Sequence, residues 1–457
     1  MSIISVNPAN GKIIKKYKAH TLQQVEQKIK QTHNAWLSWR ESSHDERKRL
    51  LSSMAGILQS RKNELAALMA LEMGKPVNQG IAEIDKCASV CQYYATNAAT
   101  YLSDQIIETD ASKSYVSFQP IGVVLAIMPW NFPFWQVFRF LAPALAAGNC
   151  GVLKHASNVP GCAIAIEEIV REAGFPDNVF QTLLISSASV EKVINNPFIQ
   201  AVTITGSTNA GKQVAQKAGS LIKKTVLELG GSDAYVILED ADLEKAAEIC
   251  VNSRMINSGQ SCIAAKRFVV VKSVEKEFIS LFLNKMKAKK VGDPLDSGTD
   301  IGPQARVDLR NELHKQVKLS VKKGAKCMLG GTLPKGKGAY YPATILTKVK
   351  PGMPAYDEEL FGPVAAIIRA SDEADAIRIA NDSNFGLGAA VFTKNKEKGE
   401  WIASTQLQAG ACFVNALVKS DPRLPFGGIK QSGYGRELGL FGIHEFVNIK
   451  TVFVGES

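Results

Sequence analysis

A chain of 457 residues with 46% hydrophobic and 21% charged residues is expected to fold as a globular protein of roughly two or three domains. Its formal charge of +11 is spread along the chain, as in Lys12, Lys15, Lys16 and Lys18 or Lys266, Arg267 and Lys272, which argues against a nucleic-acid partner. A solvated basic surface that attracts a small anionic substrate is the better reading. No apolar run approaches the roughly 20 residues that a bilayer requires. The eight cysteines are scattered without CxxC pairs or a His/Cys cluster, so no metal site is expected and the thiols belong in a reducing compartment. The first eleven residues reach an Asn7-Pro8 turn before any apolar leader could form, so a cytoplasmic location is expected.

Residues 21–101 have helical spacing and few breakers apart from Gly74-Lys75-Pro76, which predicts a cluster of amphipathic helices. Residues 104–119 then alternate polar and apolar side chains like an excursion of paired strands. The tail, residues 446–454, is expected to pair with them and to supply an edge for oligomer formation. From Val123 the chain reads as strand (123–128), helix (136–147), strand (150–154), helix (162–173) and strands at 179–185 and 201–205. That alternation predicts a parallel α/β sheet. A second series predicts a second α/β domain: a helix at 241–256, a strand at 266–271, a helix at 274–287 and further pairs from 364 to 414.

Two loci carry chemistry. At residues 201–211 a strand runs into Gly206-Ser207-Thr208 and then a helix at 212–218, where free N–H groups and the helix dipole favour a phosphate. The match to GxGxxG is imperfect, and an ordinary strand-to-helix turn stays open on these residues alone. Downstream, Cys262 in Gly259-Gln260-Ser261-Cys262 follows Glu228 in Glu228-Leu229-Gly230-Gly231. A thiol and a carboxylate in small-residue loops suggest a nucleophile and a base, although a buried structural cysteine and a Glu228 salt bridge to Lys223 or Lys224 are the plainer alternatives.

Six segments occur in one order: Pro129-Trp130-Asn131-Phe132-Pro133, Thr205-Gly206-Ser207-Thr208, the Glu228 and Cys262 segments, Glu359-Leu360-Phe361-Gly362-Pro363 and Pro425-Phe426-Gly427-Gly428. Together they resemble the aldehyde dehydrogenase superfamily. Lys154-His155-Ala156-Ser157-Asn158, Leu229-Gly230-Gly231-Ser232-Asp233 and Gly435-Arg436-Glu437-Leu438-Gly439 most resemble its bacterial NAD(P)-dependent succinate-semialdehyde dehydrogenases. The resemblance implies an α/β fold with three parts. A Rossmann-type dinucleotide-binding domain would span residues 1–102, 121–228 and 422–440, an α/β catalytic domain 229–421, and a small β oligomerisation element 103–120 and 441–457. A homodimer or homotetramer follows from it.

The resemblance also implies roles. Cys262 is the nucleophile, which its surroundings must activate; Asn131 stabilises the oxyanion, and Glu228 activates water. NAD or NADP is held by Trp130 and Asn131 beside the nicotinamide, Lys154 and Ser157 near the adenosine ribose, Gly206 and Ser207 at the pyrophosphate, Leu229 at the nicotinamide, Glu359 on its ribose and Phe361 next to it. Ser157 stands where many NAD-selective relatives carry a glutamate, so NADP should be tolerated, with His155 a further candidate influence. For the aldehyde, Arg139 would offer its fork to a distal carboxylate, with Trp135 and Ser420 lining the tunnel. Each has a plainer alternative: a structural ion pair for Arg139, and core or loop roles for the others. Two positions depart from relatives: Ile256 replaces an arginine, leaving Arg254 upstream, and Ala264 replaces a second cysteine, which excludes a local redox disulfide. Glutarate semialdehyde or an aliphatic aldehyde is the alternative substrate, and a cofactor-independent thioesterase the alternative of another class.

Overall fold

The helical spacing folds as Leu22–Trp39, His44–Ser60, Lys62–Met73 and Val77–Tyr101 in a computed structural model that describes residues 2–456. Side chains fix where the helices start. Thr21 accepts from the Gln24 N–H while Gln24 accepts from the Thr21 N–H, and Ser43 accepts from the Glu46 N–H. The break at Gly74 has a steric cause: its φ is +78°, and a Cβ there would lie 2.6 Å from Pro303. Ahead of the helices, the Asn7-Pro8 turn closes an antiparallel hairpin of Ser2–Val6 with Ile13–Lys18. The sequence shows only the turn, because Ile13–Lys18 buries no side chain fully and so lacks an apolar alternation.

From Val123 the alternating runs build a sheet in the order Gly433–Tyr434, Lys224–Glu228, Ile199–Thr205, Val123–Met128, Cys150–His155, Phe180–Thr182. All neighbours are parallel except at the Gly433–Tyr434 edge. The chain first moves outward from Val123–Met128 to Cys150–His155 and later returns on the other side with Ile199–Thr205. Strand order reverses there, and such a switch point is where open α/β sheets bind ligands. The helix expected at 212–218 begins earlier, at Thr208, because Ser207 caps it. The strand expected at 179–185 is confined to Phe180–Thr182 at the sheet edge.

The second series forms a sheet in the order Lys326–Leu329, Thr344–Thr347, Val364–Ala370, Arg267–Val271, Ala234–Ile237, Gly388–Phe392, Ala411–Val414, antiparallel only at its first pair. Its central strands are buried throughout, which explains their unbroken apolar runs. Residues 104–119 form Gln105–Ile106 and Lys113–Pro120, and the latter pairs with Val447–Val454 from Val447 opposite Pro120 to Val454 opposite Lys113. That strand leaves Ile449, Phe453 and Val454 exposed. Among the described residues no helix is long and apolar enough to cross a membrane.

Candidate active site

Residues 129–134 leave the C-terminal end of Val123–Met128 and enter the helix Trp135–Ala146. His155 braces this loop: its Nε2 meets the Pro133 carbonyl at 2.9 Å, and its Nδ1 accepts from the Ala156 N–H at 2.9 Å. Nδ1 also lies 3.2 Å from the Met128 carbonyl, so both ring nitrogens are engaged by backbone. Burial pushes the imidazole pKa down to about 4, which makes His155 a neutral brace of the loop. From the helix Val77–Tyr101, Glu83 accepts the N–H groups of Phe134 and Trp135 at 2.9 Å each. Glu83 is ion-paired in turn with the fully buried Lys75, whose ammonium lies 3.8 Å from the Phe132 ring centroid.

Asn131, almost fully buried, joins this loop to the one carrying Cys262. Its Nδ2 donates to the Gln260 carbonyl at 3.2 Å, while Asn257 donates to the Asn131 carbonyl at 2.7 Å. The cysteine loop is strained, with φ of +51°, +56° and +78° at Asn257, Ser258 and Gly259. A Cβ on Gly259 would stand 2.2 Å from the Gly362 carbonyl carbon, so the loop and the Glu359-Leu360-Phe361-Gly362-Pro363 segment interlock. Lys266, fully buried, donates to the carbonyls of Ser261 at 2.9 Å and Cys262 at 2.5 Å and pairs with Glu359 at 3.4 Å. Glu359 also accepts the Gly231 N–H at 3.1 Å.

Burial pushes the Cys262 thiol up to about 12, and the positive charges of Lys266 and Arg139 only partly oppose it.

Glu228 ends the strand Lys224–Glu228, and its carbonyl accepts the Gly206 N–H at 3.0 Å. Its carboxylate is buried with no hydrogen-bond partner on either oxygen. Lys223 instead donates to the Ile194 and Asn196 carbonyls, and Lys224 pairs with Glu445, so the salt-bridge alternative is not realised. Burial first, then the negative charge of Glu437, raises the Glu228 pKa well above the ordinary carboxylate range, against Arg139 and Arg436. A Cβ on Gly427 would come within 2.8 Å of Glu228 Oε1, so glycine in the Pro425-Phe426-Gly427-Gly428 turn leaves room for the carboxylate.

Arg139, expected to be free for a substrate, is committed inside the protein. It is ion-paired with the buried Glu437, approaches Thr205 Oγ1 at 3.4 Å and lies 4.6 Å from the Phe426 ring centroid. Phe426 and Glu437 exchange backbone hydrogen bonds, which brings two of the quoted segments together. Trp135 lines a cavity of about 350 Å³ together with Phe132, Met255 and Ile256. Ser420 is buried and accepts a hydrogen bond from Lys86. Ile256 brings no charge to this wall, and Arg254 turns inward to donate to the Gly259 carbonyl.

At the switch point a cleft of about 620 Å³ is lined by Lys154, Ile127, Ile204 and the helix Thr208–Gly219. Lys154 is 8% exposed and, among the described residues, has no carboxylate partner; burial lowers its pKa. A Cβ on Gly206 would meet only Ile204 and Ala210, at 3.8–4.0 Å, so its face opens onto space ahead of the helix, where Ser207 caps the Ala210 N–H. Leu229 packs so closely on Gly211 that a Cβ there would stand 2.5 Å from it. Trp130 meets Phe361 edge to face at 5.8 Å, and Ser157 is exposed beyond the strand Cys150–His155. An unpaired enclosed cation and an open glycine face at a helix start fit a dinucleotide.

Lys266, Glu437 and Lys86 escape sequence reasoning as site residues. Glu437 was visible only inside its glycine-flanked segment, while Lys86 looks like any solvated helix lysine.

A doubly wound sheet with a phosphate-type cradle at its switch point, joined to a second α/β unit bearing a strained cysteine loop, defines a dinucleotide-binding α/β protein. Residues 1–452 match the Aldehyde dehydrogenase family, and the chain belongs to it. It is 51% identical over 454 residues to a probable NADP(+) succinate-semialdehyde dehydrogenase of Synechocystis sp., covering 99% of this chain and 100% of the relative. An NADP(+) succinate-semialdehyde dehydrogenase of Mycobacterium bovis is 45% identical, with the same coverage. The crystal structure of succinic semialdehyde dehydrogenase from Streptococcus pyogenes with NADP+ aligns with a TM-score of 0.97 at 37% identity, over 99% of this chain and 100% of that one.

Proposed function

We propose that the protein oxidises succinate semialdehyde to succinate with NAD(P)+, through a covalent intermediate on Cys262. The observation that carries this reading is the unpartnered, buried carboxylate of Glu228 in the same charge cluster as Cys262, with Arg139 acting on both. The Cys262 sulfur gives its proton to solvent and attacks the aldehyde carbon; the oxygen takes a proton back from solvent, giving a thiohemiacetal whose hydroxyl proton is lost to solvent when the thioester forms. Glu228 later returns the water proton to the sulfur. The Asn131 amide and the Cys262 backbone N–H donate to the oxygen on which charge develops, each worth on the order of 3 kcal/mol. Bound NAD(P)+ supplies the acceptor for the hydride whose loss turns the thiohemiacetal into a thioester. Glu228 then takes a proton from water as its oxygen bonds the acyl carbon; the C–S bond breaks, and the thiol is restored. The raised pKa of Glu228 means that it must first shed a proton.

In the cofactor cradle, Lys154 and Ser157 would hold the adenosine ribose, Gly206 and Ser207 the pyrophosphate, and Trp130, Asn131 and Leu229 the nicotinamide. Glu359, set by Lys266 and the Gly231 N–H, would hold the nicotinamide ribose, with Phe361 beside it. Ser157 carries no charge to repel a 2′-phosphate, so NAD and NADP both serve. Trp135 bounds the aldehyde cavity, and Ser420 stands behind it as the acceptor of Lys86. Arg139 adds positive field from behind and would reach a carboxylate only by exchanging Glu437. Residues 1–102, 121–228 and 422–440 act as the dinucleotide-binding domain and 229–421 as the catalytic domain. Residues 103–120 and 441–457 join subunits of a homodimer or homotetramer. Unpaired cysteines suit a cytoplasmic enzyme.

Following reduced-nicotinamide absorbance with a panel of aldehydes tests the reading. Succinate semialdehyde should give the highest kcat/KM, above glutarate semialdehyde and aliphatic aldehydes, with either cofactor. A better aliphatic substrate, or selectivity for NAD beyond about a thousandfold, would contradict it.

A further inference from the structure

Lys86 stands apart from every other charge around the aldehyde cavity, because its neighbours are all committed. Glu83 holds Lys75 and two backbone N–H groups, Asp421 holds Arg423, Lys289 meets Asp300 and Arg139 meets Glu437. Lys86 lines the cavity and, among the described residues, has no carboxylate within ion-pair range. Its ammonium is nonetheless fixed, 2.7 Å from Ser420 Oγ and 4.2 Å from the Trp135 ring centroid. A cation held on an aromatic face and by a hydroxyl keeps donor capacity for one more acceptor.

We propose, resting on the reading of the substrate as a semialdehyde acid, that Lys86 is the specificity residue that binds its distal carboxylate, with Ser420 and Trp135 positioning the ammonium. Chain continuity relates the walls of this cavity to the chemistry. Phe132 adjoins Asn131 in sequence and Trp135 continues the same loop into its helix, while Met255 and Ile256 lead into the strained turn before Cys262. Ile256 is apolar, and Lys289, the other lysine on the lining, is occupied by Asp300 and Asn252. A short aliphatic chain between these walls would carry its aldehyde towards Cys262 and its carboxylate to Lys86. Burial draws the Lys86 pKa down to about 8, with Arg139 acting in the same direction, which leaves the group cationic at neutral pH.

The test compares the purified full-length enzyme with Lys86→Met and Lys86→Arg on succinate semialdehyde and on butanal, the uncharged aldehyde of equal chain length. In Lys86→Met, KM for succinate semialdehyde should rise by roughly 50-fold with kcat within a few fold, while butanal kinetics stay within about threefold, as expected for losing one charged hydrogen bond. Lys86→Arg should restore most of the affinity. Retained preference for the acid in Lys86→Met, or equal losses on both aldehydes, would overturn the assignment while leaving the substrate reading intact. A wild-type enzyme that does not prefer succinate semialdehyde over butanal would instead overturn the substrate reading, and this assignment with it.

Discussion

Burial raises the Cys262 thiol pKa, against the positive charges of Lys266 and Arg139, and this bears on how it meets electrophiles. Because its pKa is raised to about 12, the thiolate fraction grows about tenfold per pH unit across the neutral range. The rate of Cys262 alkylation by iodoacetamide should therefore climb without a plateau between about pH 6 and 9. A plateau below about pH 8 would show that the cofactor-free site already activates the thiol. The sequence singles out Cys262 as the proposed nucleophile, since it stands in a recognisable small-residue segment. It does not reveal the protonation state, which depends on how completely the fold removes water from the sulfur and how near Lys266 and Arg139 come. The same limit explains Arg139: its place on the helix was legible, but Glu437 meets it only after nearly the whole chain has folded.

At the scale of elements, the loop carrying Asn131 is held by a helix from far upstream. Glu83 accepts two N–H groups at the start of Trp135–Ala146 and relies on Lys75 to neutralise it in a fully buried setting. Removing one partner of a buried pair leaves an uncompensated charge and costs on the order of 3–5 kcal/mol. Lys75→Met should therefore lower the thermal unfolding midpoint by several degrees and reduce kcat, because Asn131 loses its fixed loop. An unchanged midpoint would show that the pair bears no such load. Strand and helix order was readable from Val123 onward because fully buried strands make unbroken apolar runs, as in Val123–Met128 and Arg267–Val271. The hairpin Ser2–Val6 with Ile13–Lys18 was not, since its side chains are largely exposed and leave no periodic signal.

For the whole molecule, two sheets meet at loops drawn from distant segments, and the third sheet turns an apolar edge outward. Ile449 and Phe453 on Val447–Val454 are 60% and 56% exposed, more than an isolated chain has reason to leave in water. In the proposed homo-oligomer this edge is covered, so Ile449→Lys with Phe453→Asp should shift the sedimentation coefficient from oligomer to monomer. A wild-type monomer would remove the oligomerisation role from this sheet. The pairing of Lys113–Pro120 with Val447–Val454 was foreseeable from alternation alone, whereas Lys86, on the outwardly ordinary helix Val77–Tyr101, became visible only once Trp135 and Ser420 closed around it. The most direct test of the central claim is mass spectrometry of Glu228→Gln mixed with succinate semialdehyde and NADP+. A succinyl thioester accumulating on Cys262, with little steady-state turnover, is the predicted result. Full turnover without an adduct, or an adduct on another residue, would contradict covalent aldehyde oxidation at Cys262.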